Sequence, residues 1–201
     1  MHPSSAQIID LYERHAQAWD RERGRSLFER TWLDRFQAVT GPGVSLLDLG
    51  CGSGEPIARH LIACGHRLTG VDSAPSLIGL CRRRFPDHDW IVGDMRRLDL
   101  GARFDGIVAW DSFFHLTGDD QRAMFPLFRS HAAPGAALLF TSGPSDGEAI
   151  GRFQDEPLYH ASLSPDAYRG LLADNGFEVL EHVAEDPDCG GHTVWLARRT
   201  Q

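Results

Sequence analysis

The stretch LLDLGCGSGE, Leu46 to Glu55, sets Gly50, Gly52 and Gly54 at alternate positions behind residues that read as a buried strand. Glycines so placed let a backbone come close to a ligand. Carboxylates flank them. Asp48 lies two residues before the first glycine. Glu55 holds the place where a dinucleotide-binding G-x-G-x-x-G loop carries its third glycine. A carboxylate at a helix start competes with a pyrophosphate for the positive end of the helix dipole. The pair suits a ligand that brings positive charge and hydroxyls. No Gly-Lys-Ser/Thr follows, which excludes a P-loop.

More carboxylates stand where strands should end. Asp72 closes LTGVD, 18 residues after Gly54, and an acid there can accept both hydroxyls of a ribose. Asp94 follows WIVG. It can accept from an exocyclic amine, while the Met95 backbone N–H can donate to a ring nitrogen, so one adenosine would engage both. Asp111 and His115 share WDSFFHL. His115 either acts as a base or packs beneath the ligand. Tyr159, His160 and His192 stand near other strand ends and are candidates for substrate contact. Tyr12 and Trp19, seven residues apart, either pack as core or close over the ligand.

These side chains need elements to hold them. Helical spacing of apolar residues predicts helices over 5–20 and 26–39, ended by the turn Thr40 to Gly43. Strands then alternate with helices. Strands are expected at 44–49, 67–71, 90–92, 104–110 and 135–141, with helices at 56–64, from about Ser73, and at 119–131. Ser73 reads as a helix N-cap, and Pro126 should kink or split its helix. Residues 143–163 read as a long irregular segment, hence a lid or binding loop. Ser164 and Pro165 open a helix that ends at Gly176, before strands 177–183 and 193–197, which can pair as a hairpin.

This order predicts an α/β three-layer α/β/α Rossmann-like sandwich, a mostly parallel sheet with helices on both faces and N-terminal helices added. Ligands in such sheets bind beyond the carboxyl ends of the strands, near the switch point. The informative loops therefore follow Leu49, Val71, Val92, Trp110, Thr141 and Val183.

Composition narrows the function. The chain has 201 residues and a formal net charge of −8, which disfavours nucleic acid as a partner. No apolar run is long enough for a membrane span. The first residues lack the basic-then-apolar order of a secretory signal, so a cytoplasmic protein is expected. Four cysteines show no CxxC pair, and the lone C-x-x-H of Cys189 and His192 has no second pair, so no metal is expected.

The set LLDLGCGSGEPIARHL, LTGVDSAPSLIGLCRRR, WIVGDMRRLDL and FDGIVAWDSFFHL resembles the class I S-adenosylmethionine-dependent methyltransferases in order and spacing. The resemblance covers 44–142 closely and 164–199 in outline. It implies a seven-stranded sheet whose last strand is antiparallel and S-adenosyl-L-methionine as cofactor. By position, Asp48 and the loop of Gly50, Cys51, Gly52 and Gly54 bound the cofactor's amino-acid part. Asp72 holds the ribose, and Asp94 and Met95 meet the adenine. Asp111 lies close to the methionine moiety and substrate, and Ser73 and Trp110 are further cofactor-binding candidates. Asp111 and His115 are the catalytic candidates. Tyr12, Trp19, Tyr159, His160 and His192 are the substrate candidates.

One domain over 1–201 is expected, with a cap (1–40), a cofactor core (44–142), an active-face loop (143–163) and a closing helix and hairpin (164–199). The expected function is methyl transfer to a small molecule by in-line displacement, in a monomer or homodimer. Sulfur leaves neutral, so positioning can supply most of the catalysis. Two alternatives stand beside it: a non-catalytic cofactor-binding sensor, and an NAD(P)-linked oxidoreductase, against which Glu55 argues.

Overall fold

The computed structural model describes residues 3–200. Seven strands form one sheet: β1 (Ser45–Leu49), β2 (Arg67–Asp72), β3 (Asp89–Val92), β4 (Phe104–Ala109), β5 (Ala132–Ser142), β8 (Phe177–Asp186) and β9 (His192–Arg199). Their order is β3-β2-β1-β4-β5-β9-β8. β1 to β5 pair in parallel, and β9 runs antiparallel between β5 and β8. This is the seven-stranded, mostly parallel sheet expected from the sequence.

Successive side chains on a strand face opposite sides, and the core divides accordingly. Leu47, Ile107, Leu138 and Phe140 face one side, where Met124, Phe125 and Phe128 of α6 (Gly118–His131) and Tyr168 and Leu172 of α7 (Pro165–Asp174) cover them. Leu46, Val108, Ala137 and Leu139 face the other. There they meet α3 (Arg30–Thr40), α4 (Ile57–Ala63) and α5 (Pro75–Arg84) through Trp32, Phe36, Leu61 and Ile78. Each large apolar side chain so buried contributes about 1.5–3 kcal/mol. Strands covered on both faces read as continuous apolar runs, which is why they were legible.

The order reverses between β1 and β4, so the crevice opens beyond Leu49 and Ala109. Ser112 Oγ donates to the Leu49 carbonyl at 2.6 Å, bridging the two strand ends. Gly50, at φ +73°, passes so close that a Cβ there would lie 2.2 Å from the Ser112 Cβ.

Several expectations need correction. The first expected helix is two, α1 (Ile8–Arg14) and α2 (Ala16–Glu22), broken at His15, whose Nε2 lies 2.6 Å from Glu156 Oε1. Residues 26–29 form a turn, and α3 begins at Arg30. Ser73 is not an N-cap: α5 is preceded by Ala74, whose N–H donates to Asp72 Oδ1 at 2.9 Å. α6 runs unbroken through Pro126, held by the burial of Met124, Phe125 and Phe128.

Segment 143–163 is largely a hairpin, β6 (Gly147–Phe153) and β7 (Glu156–Ser162), and not an irregular loop. β6 is mostly exposed, so its sequence carries no alternation. The hairpin tip grips the N-terminal helices. Phe153 stacks on Tyr12 at 6.1 Å between centroids, and Arg14 bonds Glu156 at 2.5 Å. Among the described residues no helix is long and apolar enough to cross a membrane.

Candidate active site

A cleft of about 860 Å³ of empty space, part of it open to solvent, lies at this crevice. Its floor is Gly50 and Gly52, one wall is Asp72, Asp94 and Met95, and its roof includes Ile8, Ile9 and Tyr12. A smaller second lobe is lined by Arg23, Asp48, Cys51, Glu55 and Trp110. Trp19, Gly50, Gly52 and Asp111 line both. A Cβ on Gly52, at φ +55°, would stand 3.2 Å from the Trp19 indole nitrogen, so the loop passes directly under the roof.

Asp72 organises the first lobe. Its Oδ2 accepts from the Gly52 N–H and its Oδ1 from the Ala74 N–H, each at 2.9 Å. Burial pushes its carboxyl above the usual range, opposed by those amides. An ionised carboxylate offers about four acceptor positions, so two bonds leave capacity facing the cleft. Asp94 lies at the far end. Burial works to raise it, but Arg96 outweighs that and holds the carboxyl low, with Arg96 Nη2 donating to Oδ2 at 2.6 Å. Ser73 also lines this lobe.

Asp48 lines the second lobe and is 4% exposed. Burial, and then the charge of Asp72, push its carboxyl up to about 7. Cys51, buried beside it, has its thiol held well above the usual range, first by burial and then by Cys81. The Trp110 indole N–H is buried without a hydrogen-bond partner. Arg23 forms an ion pair with the fully buried Glu29. Gly54 lines neither lobe and packs on Phe85 and Cys81.

Two histidines flank Asp111 in opposite states. The His115 ring bonds the Tyr159 carbonyl through Nδ1 and the Tyr12 hydroxyl through Nε2, both at 2.8 Å. A carbonyl only accepts, so Nδ1 carries the proton and Nε2 accepts from Tyr12. Burial pushes this imidazole down to about 4. Burial, Asp111 and Asp72, in that order, push the Tyr12 phenol far above its usual range.

His192 Nε2 lies 3.0 Å from Asp111 Oδ1, and Nδ1 lies 2.8 Å from the Cys189 carbonyl. The Asp111 bond raises its pKa against the opposing effect of burial. Phe28 and Trp110 flank the ring at 5.3 and 5.7 Å. Asp111 itself sits at φ +49°, a conformation that non-glycine residues rarely adopt, and its N–H donates to Thr141 Oγ1 at 2.9 Å.

His115 carries a pH prediction. A histidine depressed on folding gives stability that is fully present above its unfolded value near 6.5 and is lost as pH falls toward the folded value near 4. Its resonances should show the Nδ1–H tautomer at pH 7. Its contribution to stability should fall between pH 6.5 and 4, by roughly 3 kcal/mol at most. Nitrogen-15 NMR reports the tautomer. Urea unfolding across that range, compared with His115→Gln, reports the stability.

Of the remaining sequence candidates, Tyr159 and His160 line neither lobe. Tyr159 is fully buried, and its hydroxyl donates to Glu148 at 2.9 Å. Its backbone carbonyl, not its ring, serves the site by holding His115. His160 lies tilted against His115, with ring centroids 4.9 Å apart. Arg23 was missed because it lies in the polar stretch DRERGR, which has no periodicity and reads as a linker. Ser112 was missed because only the fold brings it under Gly50.

Residues 46–135 match a family model described as a methyltransferase domain. A dTDP-3-amino-3,6-dideoxy-alpha-D-glucopyranose N,N-dimethyltransferase of Streptomyces fradiae is 29% identical over 137 residues, covering 67% of this chain and 52% of that protein. An O-methyltransferase of Pyrenophora dematioidea is 29% identical over 154 residues, covering 71% and 57%. The chain thus spans about half the length of the curated relatives it matches. Among solved structures, an amino pentose methyltransferase from Micromonospora echinaspora superposes with a TM-score of 0.72 at 22% identity, covering 92% of this chain and 96% of that one.

Proposed function

We propose that this chain, which carries a methyltransferase domain on a class I methyltransferase fold, moves the methyl group of S-adenosyl-L-methionine to a small-molecule acceptor. The observation that carries this reading is Asp72, tied to Gly52 and Ala74 on the wall of the larger lobe with acceptor capacity still facing the cleft. That suits a ribose diol, with Asp94 and Met95 placed for the adenine. The second lobe suits an amino acid. The unpartnered Trp110 N–H and Arg23 would meet its carboxylate, and Asp48 its ammonium.

When bound, the cofactor supplies an electrophilic methyl group on a sulfonium. The protein's part is alignment and exclusion of water. Tyr12 and Trp19 roof the cleft, Gly50 and Gly52 hold its floor, and Asp111 stands where the two lobes join. His115 is fixed as a neutral imidazole that orients Tyr12.

The NAD(P) reading fares worse. Glu55 lines the second lobe and binds Arg59, at 2.7 and 2.9 Å from its Nε, so a carboxylate stands where a diphosphate would need amides. The relatives' activities, N,N-dimethylation of a nucleotide amino sugar and O-methylation, support a small acceptor. The acidic charge and covered cleft argue against nucleic acid. We further place the protein in the cytoplasm, as a monomer or homodimer, without a membrane partner.

The test is incubation with methyl-labelled S-adenosylmethionine and the low-molecular-mass fraction of a cell extract, followed by mass spectrometry. A labelled small product is expected. Binding of S-adenosylhomocysteine without any transfer would favour the sensor reading instead.

A further inference from the structure

The chemistry around Asp111 discriminates among acceptors. An alcohol must lose a proton as it is methylated, and the base best matched to that near neutral pH is a free imidazole. His115 Nε2 already accepts from Tyr12. With both ring nitrogens donating, to Asp111 and to the Cys189 carbonyl, His192 has no lone pair to offer. A carboxylate or phenolate acceptor would approach Asp48, Glu55, Asp72 and Asp111. The nearby cations are already engaged, Arg23 by Glu29 and, in the methyl-transfer reading, by the cofactor's own carboxylate, and Arg96 by Asp94.

One acceptor position remains open. His192 and the Thr141 hydroxyl both address Asp111 Oδ1, at 3.0 and 3.5 Å. No hydrogen bond among the described residues engages Oδ2. The left-handed backbone at Asp111, fixed by the Thr141 contact, turns this side chain to the junction of the lobes. Strained residues of this kind persist where surrounding contacts over-determine them.

We propose that the methyl acceptor is an amine, that an acceptor N–H donates to Asp111 Oδ2, and that His192 is the positioning residue that holds Asp111 for it. This rests on the methyl-transfer reading and narrows its substrate class. The ammonium form first gives one proton to solvent. The nitrogen lone pair then forms the N–C bond while the C–S bond breaks, and that electron pair leaves with sulfur. Positive charge passes from sulfur to nitrogen, beside the Asp111 carboxylate, which stabilises it as it develops. No proton has to be removed during the transfer itself.

Sinefungin, in which a primary ammonium replaces the sulfonium-bound methyl, probes this position without a known acceptor. Its affinity and that of S-adenosylhomocysteine are measured by calorimetry on the wild type, Asp111→Asn, His192→Gln and His192→Ala. Wild type should bind sinefungin at least about tenfold more tightly, as expected for a charged hydrogen bond. Asp111→Asn should bring that ratio near one while holding S-adenosylhomocysteine within about threefold. His192→Ala should lose most of the ratio, and His192→Gln, which keeps a donor, should retain part of it. A general loss of folding weakens both ligands alike and leaves the ratio intact. Equal affinities in the wild type overturn the proposal. So does an Asp111→Asn that keeps the wild-type melting temperature yet weakens both ligands equally, since Asp111 would then serve the cofactor's amino-acid part. Failure to bind S-adenosylhomocysteine at all is a separate result: it sinks the methyl-transfer reading and the proposal with it.

Discussion

Asp72→Ala should abolish the rise in melting temperature that saturating S-adenosylhomocysteine gives the wild-type protein. Two diol hydroxyls donating to an ionised carboxylate are worth about 1.5–3 kcal/mol each. Losing both weakens binding by roughly a hundredfold or more, and the ligand-linked stabilisation falls with it. The same carboxylate also holds the Gly52 and Ala74 amides, each at 2.9 Å. The unliganded variant should therefore lose about 1–3 kcal/mol for amides left without an acceptor. Asp72→Asn keeps one acceptor oxygen, enough for only one of the two amides, and turns a donor toward the other, so the unliganded variant should still lose about 1–3 kcal/mol and should lose most of the ligand response. Full retention of that response in Asp72→Asn would reduce Asp72 to a strand-end cap.

Asp48→Asn should do the reverse to the unliganded protein and stabilise it. The Asp48 carboxyl is 4% exposed and pushed up to about 7 by burial and then by Asp72. An acid raised on folding binds its proton more tightly in the native state. Stability therefore declines as pH rises from the unfolded value near 3.9 toward the folded value. By pH 8 the wild type bears the whole cost, roughly 2–4 kcal/mol, and the asparagine variant is spared it. Denaturant melts at pH 5 and pH 8 read this directly: the advantage of the asparagine variant should be larger at the higher pH, by roughly 1–3 kcal/mol. His115 acts in the opposite direction below pH 6.5, so the difference between variants is informative and the wild-type curve alone is not. The gain should come with weaker binding of S-adenosylhomocysteine, because the proposed ammonium contact is gone. A variant no more stable than wild type at pH 8 would show that Asp48 is not burdened by its charge.

The sequence made the strand-end residues of the crevice more legible than those of its roof and hairpin, for a physical reason. The glycines and carboxylates of the crevice lie in short loops that follow buried strands. The apolar runs ending at Leu49, Val71 and Ala109 mark those loops without knowledge of the partners. The hairpin of β6 and β7 was illegible because an exposed two-stranded ribbon needs no alternating pattern.

The amino-acid order by itself determined the layered sheet, its antiparallel last strand and the glycine and carboxylate positions at the strand ends. All of these follow from local periodicity and from where strands must stop. Only the tertiary structure decided which side chains share a charge environment. Tyr12 meets His115 across 103 residues of chain, and His192 reaches Asp111 only because β9 inserts beside β5. The opposed states of His115 and His192, and the raised carboxyl of Asp48, arise from burial and from neighbours distant in sequence. A residue type announces that it can hold a proton, but its surroundings in three dimensions set whether it does.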